Sequence, residues 1–160
     1  MGRFRNLTAA GVLVGTKGNA RLRPALTGGV DIVYTPDRKD LENLIEALKL
    51  LARIYLEAGA LRVMPSTFQF HEFTSKDQLD RLDQYVQKSG YLSIGTGHPQ
   101  GGNPISRDSD KGVVDPSFRV HGFDNLFVCD ASVFPTATTV NPQLTVMALA
   151  DYAAPAMLSP

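Results

Sequence analysis

Tryptophan is absent from these 160 residues and cysteine occurs once, at Cys129. A single thiol excludes an internal disulfide, and its place in the run Phe127-Val128-Cys129 predicts a reduced, buried side chain. Neither charge sign is in excess: 16 basic and 16 acidic residues leave a formal net charge of +0. That balance removes the electrostatic case for a nucleic-acid partner or an anionic membrane surface. No apolar run approaches the roughly 18 residues that a membrane span needs. The apolar stretch within MGRFRNLTAAGVLVG is too short for a signal peptide. A soluble chain is expected, its compartment open, with the cytoplasm favoured over secretion. Hydrolase signatures are missing too, since there is neither a G-x-S-x-G elbow nor an H-E-x-x-H pair. No metal site is expected either: His71 has Glu72 beside it but no further ligands at sensible spacing. A dinucleotide-binding G-x-G-x-x-G turn is also lacking, because Gly95-Thr96-Gly97 is followed by Gln100 where the third glycine should stand.

What is present suffices for a real core. With 43% hydrophobic residues, a chain of this size buries about two-thirds of the surface it exposes when unfolded. Short β-prone runs at Gly11-Val12-Leu13-Val14, Arg21-Leu22-Arg23-Pro24 and Val30–Tyr34 alternate with glycine turns, a hairpin signature that predicts an antiparallel sheet. Thr35-Pro36-Asp37 then opens a helix with Thr35 as N-cap and proline at the first helical position. Leu41, Leu44, Ile45, Leu48, Ala52, Tyr55 and Leu56 recur at helical spacing on its core side. Glu42, Glu46, Lys49 and Arg53 form its solvated side, and Gly59 stops it. Phe68, Phe70 and Phe73 are either core or the lining of a cavity. A second helix starts at Ser75, where Gln78 completes a capping box, and ends by Gly90. The fold class is therefore α+β, an antiparallel sheet with flanking helices. Gly90 is its one plausible seam, dividing residues 1–90 from residues 91–160.

Beyond that seam the chain concentrates turns, one histidine, a predicted strand at Phe127–Ser132 and a proline-started helix running to about Ala154. His98 lies among Gly95, Gly97, Gly101 and Gly102, where backbone can approach a flat ligand closely. Its imidazole is the side-chain type best suited to proton transfer near neutral pH. Asn141, before Pro142, reads as an N-cap. Asp130 reads equally as a turn acid or a ligand contact, and His121 as a surface-turn residue.

Four stretches in this region occur in a telling order. They are His98-Pro99-x-Gly101-Gly102, Val113-Val114-Asp115-Pro116-x-x-Arg119-Val120-x-Gly122, Asn125-Leu126-x-Val128-x-Asp130-Ala131-Ser132-x-x-Pro135, and Val140-Asn141-Pro142-x-x-Thr145. Together they resemble the C-terminal region of the glucose-methanol-choline (GMC) flavin oxidoreductases. Upstream, residues 18–64 resemble that family's substrate-domain strands and long helix, so the resemblance spans roughly residues 10–155. It implies residues 1–90 as substrate-domain strands and helices. Residues 91–160 would be a catalytic loop, strand and helix packing on an FAD-binding domain. The expectation is that this Rossmann half lies outside the present sequence, so that the chain alone holds FAD poorly and is inactive.

The resemblance further implies oxidation of a small-molecule alcohol. His98 would act as general base on the hydroxyl while hydride passes to flavin N5, with Asn141 holding the oxygen. Asp130 and Ala131 would lie beside the ribityl and pyrophosphate part of FAD, and Asn141, Pro142 and Gln143 against the ring. A different class of function is a flavin-free, stand-alone binding module, self-associating through apolar surface that the other half would cover.

Overall fold

The computed structural model describes residues 4–18 and 20–158. Met1–Arg3 of the N-terminal stretch and Asn19 of the upstream segment lie outside them. Among the described residues the class is α+β: a two-stranded antiparallel sheet with three α-helices and several short 3-10 turns. The chain forms two compact units, residues 4–14 with 36–94 and residues 15–35 with 95–158.

The first unit is built on α1, Arg38–Glu57. Its N-cap is Asp37 rather than Thr35, because the Asp37 carboxylate accepts the Asp40 backbone N–H at 2.8 Å and so satisfies a first-turn donor. Ala58 closes the far end and Gly59 follows at φ 91°, a backbone conformation that favours glycine. The expected apolar stripe faces the core: Ile45 is buried and Leu41, Leu44, Leu48, Ala52, Tyr55 and Leu56 are half-buried, packed against Val63, Phe73, Leu79, Leu82, Val86 and Leu92. Lys49 departs from its predicted solvated position. It is 4% exposed, and its ammonium reaches Glu46 at 2.9 Å and Asp83 at 2.7 Å. A long aliphatic stem lets the charge emerge at the acids of a neighbouring segment while its methylenes stay covered.

That segment is a 3-10 helix, Lys76–Arg81, running into α2, Leu82–Tyr85. The capping box expected at Ser75 does not form. Ser75 holds the cap position without a side-chain cap bond, and Gln78 accepts instead from the Thr74 backbone N–H at 2.9 Å. Among the three phenylalanines only Phe73 is core; Phe68 and Phe70 are exposed. The Phe73 segment pairs with Val63 through two backbone bonds of 2.9 Å, and His71 stacks on the Tyr85 ring at 4.0 Å. Gly11–Val14 is not a strand. Val12 and Leu13 instead share a shallow recess with Ala47, Leu50, Leu51 and Ile54 of α1, so apolar contact with a helix replaces sheet pairing.

In the second unit, β1 (Arg21–Pro24) and β2 (Val30–Val33) form a hairpin in the register Leu22 to Ile32 and Pro24 to Val30. Every one of these strand residues is exposed. The core lies elsewhere, in Val114, Phe118, Val133, Phe134 and Ala153, with Ile105, Val120, Val128, Cys129 and Leu149 packed around it. The last helix, α3, spans Gln143–Leu158, past the predicted end near Ala154 and through Pro155. Proline removes one ladder bond from a helix without forbidding the turns after it. Among the described residues no helix is long and apolar enough to cross a membrane.

Candidate active site

All the residues singled out around His98 and Asn141 fall in the second unit. His98 is exposed, on a loop without regular structure, and its backbone N–H donates to the Thr96 hydroxyl at 3.1 Å. Two residues on, the Gln100 amide uses both ends. Its Nε2 donates to Thr138 Oγ1 at 2.9 Å, and its Oε1 accepts the Thr138 backbone N–H at 2.9 Å. Thr138 Oγ1 in turn donates to the Val140 carbonyl at 2.7 Å, next to Asn141. The loop after His98 and the loop before Asn141 are thus fastened to each other.

The same loop is fastened to the Asp130–Val133 segment. Gly101 N–H donates to the Ala131 carbonyl at 3.1 Å, Asn103 N–H to Ser132 at 2.9 Å and Ile105 N–H to Val133 at 3.2 Å. The Asn103 side-chain amide adds a bond to Ser132 Oγ at 2.9 Å. The strand expected at Phe127–Ser132 is not formed; Phe127 makes one antiparallel bridge with Arg119. Asp130 then caps a 3-10 turn, Ala131–Val133, by accepting the Ser132 N–H at 2.8 Å. Capping bends the backbone out of extended pairing at the point where the apolar run ends. Hydrogen bonds from the Ser132 hydroxyl and then its backbone hold the Asp130 carboxyl below the usual carboxylate range. The Cys129 thiol is pushed the other way, by burial first and the Asp130 charge second, which makes it a packing group rather than a nucleophile.

Asn141 is exposed and Pro142 is buried. The first bond that closes α3 runs from Val146 N–H to the Pro142 carbonyl at 2.9 Å. Pro142 therefore holds the cap position, one residue later than expected, and Asn141 stands just outside the helix. Gln143, Leu144 and Thr145 are exposed at the first turn, where backbone N–H groups have no partner within a helix. His121 is not a plain surface-turn residue: half-buried, it places Nε2 3.0 Å from the Ser106 carbonyl. Among the described residues no group of three or more His, Cys, Asp or Glu side chains is arranged to hold a metal ion.

Gln100 and Asn103 were not legible as site-building residues. Each pairs with a residue that is remote in sequence, 38 positions away for Thr138 and 29 for Ser132. Their only signal was a two-sided amide placed within a glycine-rich loop.

The sequence profile described as GMC oxidoreductase matches residues 18–150, which takes in both the clamped loops and the α1 segment. The chain belongs to the GMC oxidoreductase family. An uncharacterized GMC-type oxidoreductase of Sinorhizobium fredii is 37% identical over 121 residues, covering 76% of this chain and 24% of its own length. A long-chain-alcohol oxidase of Arabidopsis thaliana is 30% identical over 131 residues, 74% of this chain and 18% of its own. The crystal structure of pyridoxine 4-oxidase from Mesorbium loti is similar with a TM-score of 0.58 at 26% identity, over 85% of this chain and 26% of that one. This GMC oxidoreductase chain thus spans about a quarter or less of the length of the relatives it matches.

Proposed function

We propose that this chain carries the catalytic loops of an FAD-dependent oxidoreductase acting on a CH–OH group. The observation that carries the reading is the double hydrogen bond between Gln100 and Thr138, which fastens the His98 loop to the segment leading into Asn141. His98 takes the hydroxyl proton of the substrate, and Asn141 holds the oxygen from which it leaves. Both side chains are exposed on one fastened pair of loops, so a small alcohol can reach them.

The residues present fit a flavin. Gln143, Leu144 and Thr145 offer the open amides of a 16-residue helix, whose N-terminal partial positive charge suits the electron-rich edge of a ring system. Exposed Asn141 and Gln143 would lie against the ring, with buried Pro142 behind them. Asp130 and Ala131 would lie along the ribityl and pyrophosphate part; with one carboxylate oxygen of Asp130 engaged by Ser132 N–H, the turn itself provides the contact. When bound, FAD supplies the acceptor for the hydrogen on the substrate carbon. General-base help is typically worth about a hundred- to ten-thousandfold in rate. In the full-length protein His98→Ala is therefore expected to lower turnover at least about a hundredfold with FAD content unchanged. Near-normal turnover would remove His98 from the reaction.

A second reading rests on α3, where Leu144, Met147, Tyr152 and Leu158 are 80%, 59%, 72% and 83% exposed. Such a surface suits a flavin-free module that self-associates. FAD content of the full-length protein, alongside sedimentation over a range of concentrations, separates the two: retained flavin favours the enzyme, and flavin-free dimers the module.

A further inference from the structure

We propose that Gln100 is a positioning residue, setting His98 and Asn141 against each other by clamping Thr138; the proposal rests on the reading of His98 as the base. A primary amide is the side chain that can give and accept at once in a single plane, and both functions are used on one residue. Nε2 donates to the Thr138 hydroxyl and Oε1 accepts the Thr138 backbone N–H, each at 2.9 Å. The hydroxyl passes the constraint on, donating to the Val140 carbonyl at 2.7 Å. Gln100 is two residues from His98, and Val140 adjoins Asn141. Two parallel hydrogen bonds from Gln100 to Thr138, and a third from Thr138 to Val140, therefore connect the loop of the base to the residue before Asn141.

Neither loop has regular structure to fix it. Behind Gln100, the Gly101 and Asn103 amides tie the same loop to Ala131 and Ser132. Those bonds hold the stem of the loop. The Gln100 amide alone, among the bonds described, holds it to the Asn141 side. Around His98 the space is open, with no atom within 4 Å of a Cβ added at Gly95 or Gly97, so packing does not take over the role.

The test begins with a readout that needs neither flavin nor turnover. Hydrogen exchange of the full chain should show the Thr138 amide exchanging at least about tenfold faster in Gln100→Leu, since a bonded N–H becomes free. Unchanged exchange would overturn the clamp. Kinetics of the full-length enzyme then ask whether the clamp acts through the base. A misplacement of about 1 Å is worth up to roughly a hundredfold, so Gln100→Leu should lower kcat about ten- to a hundredfold while KM moves less than about threefold. Thr138→Ser keeps every bond and should stay near the parent. Thr138→Val removes only the hydroxyl links and should fall between; it also serves should Gln100→Leu not fold.

The deciding comparison is the double variant with His98→Ala. Residues acting as a unit are strongly non-additive, so Gln100→Leu should cost less than about twofold once His98 is gone. The same loss with and without His98 would overturn the positioning role and leave the base assignment standing. Near-normal turnover of His98→Ala alone would instead remove the base, and the role of Gln100 with it.

Discussion

The unit built on α1 and the unit carrying the candidate site solve the same problem by different means. In the first, a helix whose apolar residues recur every three or four positions lays buried Ile45 and its half-buried neighbours against Leu79, Leu82 and Val86 on or beside the short helical segment opposite. In the second, Val114, Phe118, Val133 and Phe134 are delivered by turns and single bridges. Side-chain caps hold those turns: Asp115 accepts from the Ser117 and Arg119 backbone N–H groups, and Asp130 from that of Ser132. A helix tolerates changes at its solvent face because its hydrogen bonds are internal. A core made of turns depends on individual polar residues and on close backbone approach, which is also what lets exposed loops be placed accurately.

The largest test of that contrast is a pair of truncations. Phe118 and Leu79 are each 1% exposed, yet Phe118 sits at φ 63°, held by its N–H to the Asp115 carbonyl and by its own carbonyl, which accepts from Val128. Truncation of a buried aromatic typically costs about 3–5 kcal/mol and of a buried leucine about 2–5. Phe118→Ala should therefore destabilise at least as much as Leu79→Ala in urea denaturation. It should also loosen the Asp115–Val120 turn, as read by hydrogen exchange, whereas Leu79→Ala should leave hydrogen exchange within α1 slow up to global unfolding. A broad loosening of α1 in Leu79→Ala would break the distinction.

A single methyl group gives a smaller and cleaner contrast. At Gly112 an added Cβ would stand 2.5 Å from Ser106 Cβ, 2.6 Å from the Pro104 carbonyl oxygen and 2.8 Å from Ser106 N. Two of those three neighbours are backbone, so the turn itself must move, at about 1–3 kcal/mol for overpacking of this kind. At Gly90 nothing lies within 4 Å and φ is not positive. Gly112→Ala should lower the melting temperature by several degrees while Gly90→Ala leaves it nearly unchanged. Equal shifts would mean that the turn-built core is no tighter than the helical one.

The same difference explains what could be read from the sequence. The Leu41–Leu56 stripe and Gly59 were legible because helical periodicity and a terminal glycine are local signals, and the hairpin was legible from its two β-prone runs around Gly28-Gly29. The cap at Asp37 was misplaced by two residues, since Thr35 and Asp37 both suit that position and only the Asp40 amide distinguishes them. Of the candidate site, His98, Asp130, Asn141 and their neighbours are singled out by likeness of motif order, not by physics visible in the chain. Gln100 escaped because its partner, Thr138, is far away in sequence, and no local pattern announces a bond of that range. The strand at Phe127–Ser132 was lost for a similar reason: an apolar run predicts extended backbone, but Asp130 turns it.

The smallest expected effect concerns Lys49, a charge that the helical unit buries with ion-pair partners. Lys49 is covered while its partners Glu46 and Asp83 stay largely exposed, at 65% and 56% for their side chains. Burial works to lower the Lys49 pKa, but its hydrogen bonds to Asp83 and Glu46 together with their charges outweigh it, so the group is raised above its ordinary value. A raised folded-state pKa contributes stability that is complete below the unfolded-state value and is lost as pH climbs through the folded one. The window is thus alkaline, above the ordinary lysine value of 10.5. Lys49→Met keeps the methylene packing and leaves three acids, Glu46, Asp80 and Asp83, that water can solvate, so its cost at neutral pH should stay within about 1 kcal/mol. Melting curves at pH 8 and near pH 11 should therefore converge, with the parent losing its small advantage at the higher pH and the variant showing no such change. A loss of several kcal/mol at pH 8 would mean that the helical unit, too, depends on a single polar contact, and the contrast between the two modes of assembly would fail there first.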